Sequence, residues 1–256
     1  MNDQIISIDL KADFGFLKKP DINESIYLTY NMLHKPAFLG ILGAIIGLEG
    51  YIEKDHLPDY YEKLKELKIG IEPLNSEKGN YTKTVIQYNN AVGYASQEAG
   101  GNLIVREQVL IKPTFRCYIA QQGNYSNFLS IWEYLEKQRA EFLPYFGKND
   151  FSLWWDNFQC HDFKMFPFDR DYKICTLFMK SDQTLKDFVR RSTFALFSQT
   201  KEPNFMCFEE LPVGFDERLM QYDKRQFVFT NFRFPKELQI DGLYQLEGKD
   251  ELVQLF

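Results

Sequence analysis

KPAFLGILGAIIGL, residues 35–48, is the longest nearly unbroken apolar run of the chain. It opens on a proline and is punctuated by Gly40, Gly43 and Gly47. Pro36 suits the first position of a helix, where its missing N–H is no loss and its fixed φ is already helical. The run therefore reads as a helix starting at Pro36. Phe38, Leu39, Ile41, Leu42, Ile45 and Ile46 make it apolar nearly all round, the pattern of a buried helix. Three interior glycines cost about 3 kcal/mol relative to alanine. Spaced three and four apart, they form one stripe along which a sheet, another backbone or a ligand can approach closely. The run is well short of the ~20 residues of a membrane span, and Glu49 closes it. Lys35 stands where Ser, Thr, Asp or Asn is the preferred cap. That leaves the first-turn N–H groups to water, to a neighbouring carbonyl, or to a phosphate held beside His34 and Lys35.

Upstream, ISIDLKADF at residues 6–14 alternates Ile6, Ile8 and Leu10 with polar residues, the period of a half-buried strand. A connection through Asp21, Asn23 and Glu24 to residues 27–34 joins it to the helix, and its length points to function. Downstream, Tyr60, Leu64 and Leu67 share one face of a helix over residues 59–67, and Ile69 and Ile71 mark a short strand before Pro73. YTKTVIQY (81–88) and LIVREQVLIK (103–112) alternate across a loop ending in Gly100, Gly101 and Asn102, which predicts an extended β-hairpin. Even positions of its second strand put Arg106, Gln108 and Lys112 on one face, either a solvated face or a polyanion contact. TFRCYIA (114–120) is a strand with Phe115, Cys117 and Ile119 on one side and Arg116 and Tyr118 on the other. Ser126 is placed to cap a helix carrying Phe128, Ile131, Trp132, Leu135 and Phe142 and ending near Pro144 and Gly147. With a strand around residues 158–163, the order becomes the split βαβ of a ferredoxin-like α+β fold. The rest reads as more β than α, with strands at 172–179, 205–208 and 225–234 and at the LVQLF tail. One helix over residues 184–197, carrying Arg190 and Arg191, interrupts them.

At 256 residues the chain can bury a sizeable core. Its net charge of −6 and isoelectric point near 5.3 exclude a broadly basic nucleic-acid binder, so any polyanion site is local. The four cysteines form no C-x-x-C pair, and Cys160 followed by His161 does not make a zinc site. With the polar start MNDQ, reduced thiols in a cytoplasmic protein are expected. Neither a cofactor nor a metal is expected. Aromatic residues make up 16% of the chain, mostly for the core, with a few available to stack on bases.

ISIDLKADFGFLKKP, the loop ending LTYN, KPAFLGILGAIIGLEGY, REQVLIKPTFRCYIA, YFGKNDF (145–151) and LPVGFDERLMQYDKRQFVFTNFRF (211–234) together resemble the CRISPR-associated protein 5 family. That family is a RAMP-superfamily subunit of type I Cascade, and the chain looks most like its type I-B branch. The resemblance covers most of the chain, in order. It implies an RRM-like ferredoxin domain over residues 1–155, with a long β-hairpin thumb at about 75–112, and a smaller β-rich part over 156–256. It also implies the 5′ handle of a CRISPR RNA as ligand, the backbone and large subunits of Cascade as partners, target DNA met only through the complex, and no membrane. Carried over, Tyr30, Asn31, His34 and Lys35 before the helix and Arg106 and Gln108 at the thumb base touch the handle. Lys18, Lys112, Arg116, Lys148 and Asn149 complete the candidate set.

Relatives in the type I-C branch cleave the repeat RNA without metal, which needs a base for the 2′-OH and an acid for the leaving oxygen. Only His34, with Tyr30 and Lys35, is placed for that here. His34 could equally cap or hydrogen-bond within the loop, and a lone histidine without a defined acid partner favours binding without cleavage. A protein-only interaction domain is the third reading.

Overall fold

The computed structural model describes residues 4–20, 25–89, 97, 103–121, 125–180 and 205–256. The expected turn at Gly100, Gly101 and Asn102, the helix carrying Arg190 and Arg191, and the loop residues Asp21, Asn23 and Glu24 lie outside them. In order, the elements are β1 (Ile5–Ala12), β2 (Phe14–Gly15), α1 (Lys35–Ile46), α2 (Asp59–Leu64), β3 (Lys68–Leu74), β4 (Lys83–Asn89), β5 (Ile104–Ile111), β6 (Thr114–Ala120) and α3 (Tyr125–Glu136). They continue as β7 (Leu153–His161), β8 (Phe163–Met165), β9 (Phe178–Met179), β10 (Met206–Asp216), β11 (Gln221–Thr230), β12 (Leu243–Leu246) and β13 (Leu252–Gln254).

Four strands form one antiparallel sheet in the order β3-β6-β1-β7. α1 lies between β1 and β3 in the chain, and α3 between β6 and β7. This is the ferredoxin-like β-α-β-β-α-β arrangement expected from the sequence. On one face of the sheet Ile6, Ile8, Leu10, Ile69, Ile71, Phe115, Cys117 and Ile119 join Phe38, Leu39, Leu42 and Ile45 of α1 and Phe128, Ile131 and Leu135 of α3 in one core. The hairpin β4–β5 is inserted between β3 and β6 and pairs with β2 through Phe14 and Gly15. Pro73 lacks an N–H and is tolerated because β3 is an edge strand of this sheet.

β1 is buried on both faces, where alternation predicted one. Leu246, Val253 and Leu255 cover Ile5, Tyr118 and Ala120 on the second face. The polar residues between are satisfied internally: Ser7 Oγ lies 2.8 Å from His161 Nε2, and Asp9 accepts twice from the Arg116 guanidinium. The close approach is marked by Gly70, where a Cβ would lie 2.8 Å from the Gln254 carbonyl. β10 and β11 form a long hairpin, bulged between Pro212 and Gly214, and Leu211 and Phe227 join the main core. Phe166, Tyr172, Phe178, Val228, Phe234 and Leu252 belong to a second apolar cluster. β7 carries the first sheet through residue 155 to His161.

Several local expectations change. α1 begins at Lys35, with His34 as its cap, and Gly47 is its left-handed terminator at φ 78°. The glycine stripe faces α2 and not the sheet: a Cβ on Gly43 would lie 2.4 Å from Tyr60 Cβ, and one on Gly40 would lie 3.5 Å from the Tyr60 ring. α2 stops at Leu64, and Leu67 is buried beyond it. α3 starts before Ser126 and ends at Glu136, leaving Phe142 outside the helix and exposed. Residues 172–177, read as strand, make only isolated bridges at Tyr172 and Ile174. Among the described residues no helix is long and apolar enough to cross a membrane.

Candidate nucleic-acid interface

In the stretch 25–30, Tyr27 makes an isolated parallel bridge to Glu107 of β5. Tyr27 N–H donates to the Arg106 carbonyl at 2.9 Å, and Gln108 N–H donates to the Tyr27 carbonyl at 2.9 Å. The same segment bridges to Lys18 through Thr29, and Thr29 Oγ1 accepts from Leu17 N–H at 2.9 Å. Loop, N-terminal strand and hairpin base are thus zipped together by backbone hydrogen bonds. On the surface so formed Lys18 is exposed, with its ammonium 3.9 Å from the centre of the Tyr27 ring. Arg106 is exposed as well and donates to Gln87 Oε1 across the hairpin at 2.8 Å. Gln108 is half-buried beside it. A lysine over a partly open aromatic ring, with an exposed arginine on the strand that ring's backbone pairs with, suits a single-stranded nucleic acid that offers phosphates to the cations and a base to the ring.

Deeper in, the loop is held by its own partners. The Asn31 side chain donates to the Gly79 carbonyl at 2.6 Å and accepts from Tyr81 N–H at 3.2 Å and Lys83 Nζ at 2.6 Å. The backbone N–H groups of Asn31 and Met32 donate to the two oxygens of Glu209 on β10, at 2.9 and 3.0 Å. Burial pushes the Glu209 carboxyl up, against those two N–H donors and Lys19, whose ammonium is 3.5 Å away. Asn31 is a structural clasp in this arrangement.

The start of α1 also differs from the expectation of an open anion site. His34 Nδ1 accepts from Ala37 N–H at 3.3 Å. The imidazole is 4% exposed and lies against Tyr30 and Tyr222. Burial lowers its pKa to about 3, so it is neutral, with Nδ1 occupied as the cap. Tyr30 is 2% exposed. Lys35 Nζ donates to the Phe256 backbone oxygen at 3.2 Å, and burial, assisted by Lys68 and opposed by Glu66, lowers its pKa to about 8. These three residues are close together but face the interior, and the phosphate expected at an uncapped helix start meets a cap already filled.

Of the remaining candidates, Arg116 is paired with Asp9 at 2.7 Å within the sheet. Lys148 is bound to Glu107 at 2.8 Å and to the Tyr88 hydroxyl at 2.6 Å. Lys112 has left the strand, with φ 49°, so it does not share the Arg106 face. Asn149 is exposed on the loop after α3. The surface therefore narrows to Lys18, Arg106 and Gln108. Sequence reading missed Tyr27, which only its bridge to β5 reveals, and Lys19, Lys83 and Glu209, whose partners are distant in sequence.

No family model matches the chain, and no curated protein matches it. Among solved structures, the chain is similar to a chain of a CRISPR RNA-guided surveillance complex, at 13% identity and TM-score 0.47, covering 91% of this chain and 92% of that one. It is similar to a CRISPR protein from Archaeoglobus fulgidus, at 13% identity and TM-score 0.47, covering 98% and 97%. It is also similar to a chain of the type III-B Cmr-beta complex bound to cognate target RNA and AMPPnP, at 10% identity and TM-score 0.49, covering 97% and 98%.

Proposed function

We propose that this chain is a CRISPR-associated RNA-binding subunit of RAMP type that holds the 5′ handle of a CRISPR RNA at the base of its hairpin. The observation that carries this reading is the zipped surface of Lys18, Tyr27 and Arg106, with Tyr27 N–H on the Arg106 carbonyl and Lys18 over the Tyr27 ring. The resemblance of the sequence blocks to the CRISPR-associated protein 5 family supports it, as does a ferredoxin-like sheet with a hairpin between its second and third strands. The finer reading follows that family: a type I-B-like Cascade in the cytoplasm, with this chain capping the backbone filament beside the large subunit in defence against foreign DNA. A net charge of −6 suits a subunit that meets one short RNA end, because splayed bases are read by stacking and hydrogen bonds more than by bulk charge.

Binding without cleavage is favoured by His34. General base catalysis needs an imidazole within hydrogen-bond reach of the substrate and titrating near the working pH. This one is buried, capped and held to about 3. Incubating the full chain with end-labelled repeat RNA in EDTA tests both parts. Bound, intact RNA is expected. A product ending in a 2′,3′-cyclic phosphate that disappears in His34→Ala makes the chain an endoribonuclease instead.

A further inference from the structure

On the sheet face turned away from the helices, beyond the cover that Leu246, Val253 and Leu255 place over Tyr118, a cavity of about 680 Å³ opens over Glu72 and Arg116. That is the size of a small-molecule pocket. Its walls bring in Arg170, Lys173, Arg233 and Lys249. Carboxylates line it too, at Asp171, Asp250 and Glu251, and the Glu72 carboxyl feels the charges of both Lys249 and Arg116, so the cavity holds both signs and its cations differ in how they are paired. Arg116 is taken by Asp9 and Arg170 by Asp169, neither of which lines the cavity. Among the described residues no carboxylate lies within ion-pair distance of Lys173, Arg233 or Lys249. Lys249 donates to the Tyr118 hydroxyl at 3.0 Å, and that hydroxyl donates to Glu72 at 2.6 Å. Arg233 donates to the Asp171 backbone carbonyl at 3.2 Å.

Three cations without carboxylate partners, lining one space with the half-buried Glu72 carboxyl, ask for a ligand that is anionic at one end and rich in N–H or O–H donors at the other. Inorganic phosphate supplies only the first. We propose that this cavity binds a nucleotide, with its phosphate oxygens on Lys173, Arg233 and Lys249 and its sugar hydroxyls or base amino groups toward Glu72. The nucleotide is either free or one residue of an RNA strand. The site shares no residue with the Lys18, Tyr27 and Arg106 surface, so it stands independently of the handle-binding reading.

Titration of the full chain with adenosine monophosphate by calorimetry, and with fluorescein-labelled oligouridine by anisotropy in an Arg106→Glu background, tests it. The pair Lys173→Glu with Arg233→Glu is expected to weaken the bound probe by about tenfold or more. The neutral pair Lys173→Gln with Arg233→Gln, checked for an unchanged thermal midpoint, is expected to show a smaller loss in the same direction. Loss with adenosine monophosphate supports a free nucleotide, and loss with oligouridine alone supports a strand. Neither probe binding at millimolar concentration, or binding indifferent to both pairs, overturns the proposal.

Discussion

Glu107 and Lys148 meet at 2.8 Å where the hairpin leaves the body. The Tyr88 hydroxyl donates to the other Glu107 oxygen at 2.6 Å, and the Lys148 ammonium sits 3.9 Å from the centre of the Tyr88 ring. β4, β5 and the loop after α3 are thereby tied at one point. Lys148→Ala leaves the carboxylate of a residue only 5% exposed without its cation. A loss of about 2 kcal/mol is expected in urea unfolding, with a smaller loss for Tyr88→Phe.

Asp9 and Arg116 predict an acid limb. Burial opposes ionisation of Asp9, but hydrogen bonds from Arg116 and Asn157 and the charges of Arg116 and Lys11 outweigh it and lower its pKa. Its stabilisation is therefore complete above the ordinary value of 3.8 and is lost as pH falls through the lower folded value. Asp9→Asn is expected to cost about 3 kcal/mol at neutral pH, because it strands the guanidinium, and to remove that limb. Denaturant melts from pH 2 to 7 check both.

His34 predicts a second window with the same sign. The unfolded imidazole titrates near 6.5 and the folded one near 3, so stability is full above 6.5 and declines as pH falls toward 3, where the unfolded chain takes up the proton first. His161, lowered to about 4 by burial and by Lys249 and Arg116, adds to the same decline. His34→Asn keeps a capping side chain and leaves only the His161 share of the slope. His34→Ala costs about 1 kcal/mol at pH 8 through loss of the cap.

The two mid-helix glycines of α1 part company. At Gly40 a methyl group lies at ordinary contact distance from Tyr60, so Gly40→Ala is expected to gain up to about 1 kcal/mol from helix propensity. At Gly43 it meets Tyr60 Cβ at 2.4 Å, and Gly43→Ala is expected to cost about 1–3 kcal/mol by forcing α1 and α2 apart. Thermal midpoints of the two variants separate these effects.

Period-2 patterning made β1, β6 and the hairpin legible, because alternation is set by the pleat and needs no knowledge of partners. The second burial of β1 was hidden, since Ser7 and Asp9 look solvent-facing until His161 and Arg116 satisfy them. β10 was read only at its first residues, because Pro212 and Gly214 mimic a turn where the strand in fact bulges and continues. At the candidate site, Arg106 was legible from the alternation of its strand, and Lys18 entered only with the resemblance. Tyr27 was not legible, because its exposure depends on loop residues pairing with β5. A cap at His34 was one open reading and no more, since histidine is not among the common capping residues, and Glu209 reaches the loop from far along the chain, beyond any local pattern.

RNA is expected to lie on the Lys18, Tyr27 and Arg106 surface. The most direct measurement is anisotropy of a labelled 5′-handle oligoribonucleotide titrated with the full chain and with Lys18→Glu/Arg106→Glu, at fixed salt and with matched thermal midpoints. The variant is expected to bind about tenfold or more weakly and to show a shallower dependence on salt. An affinity and salt slope equal to those of the unmodified chain contradict the account.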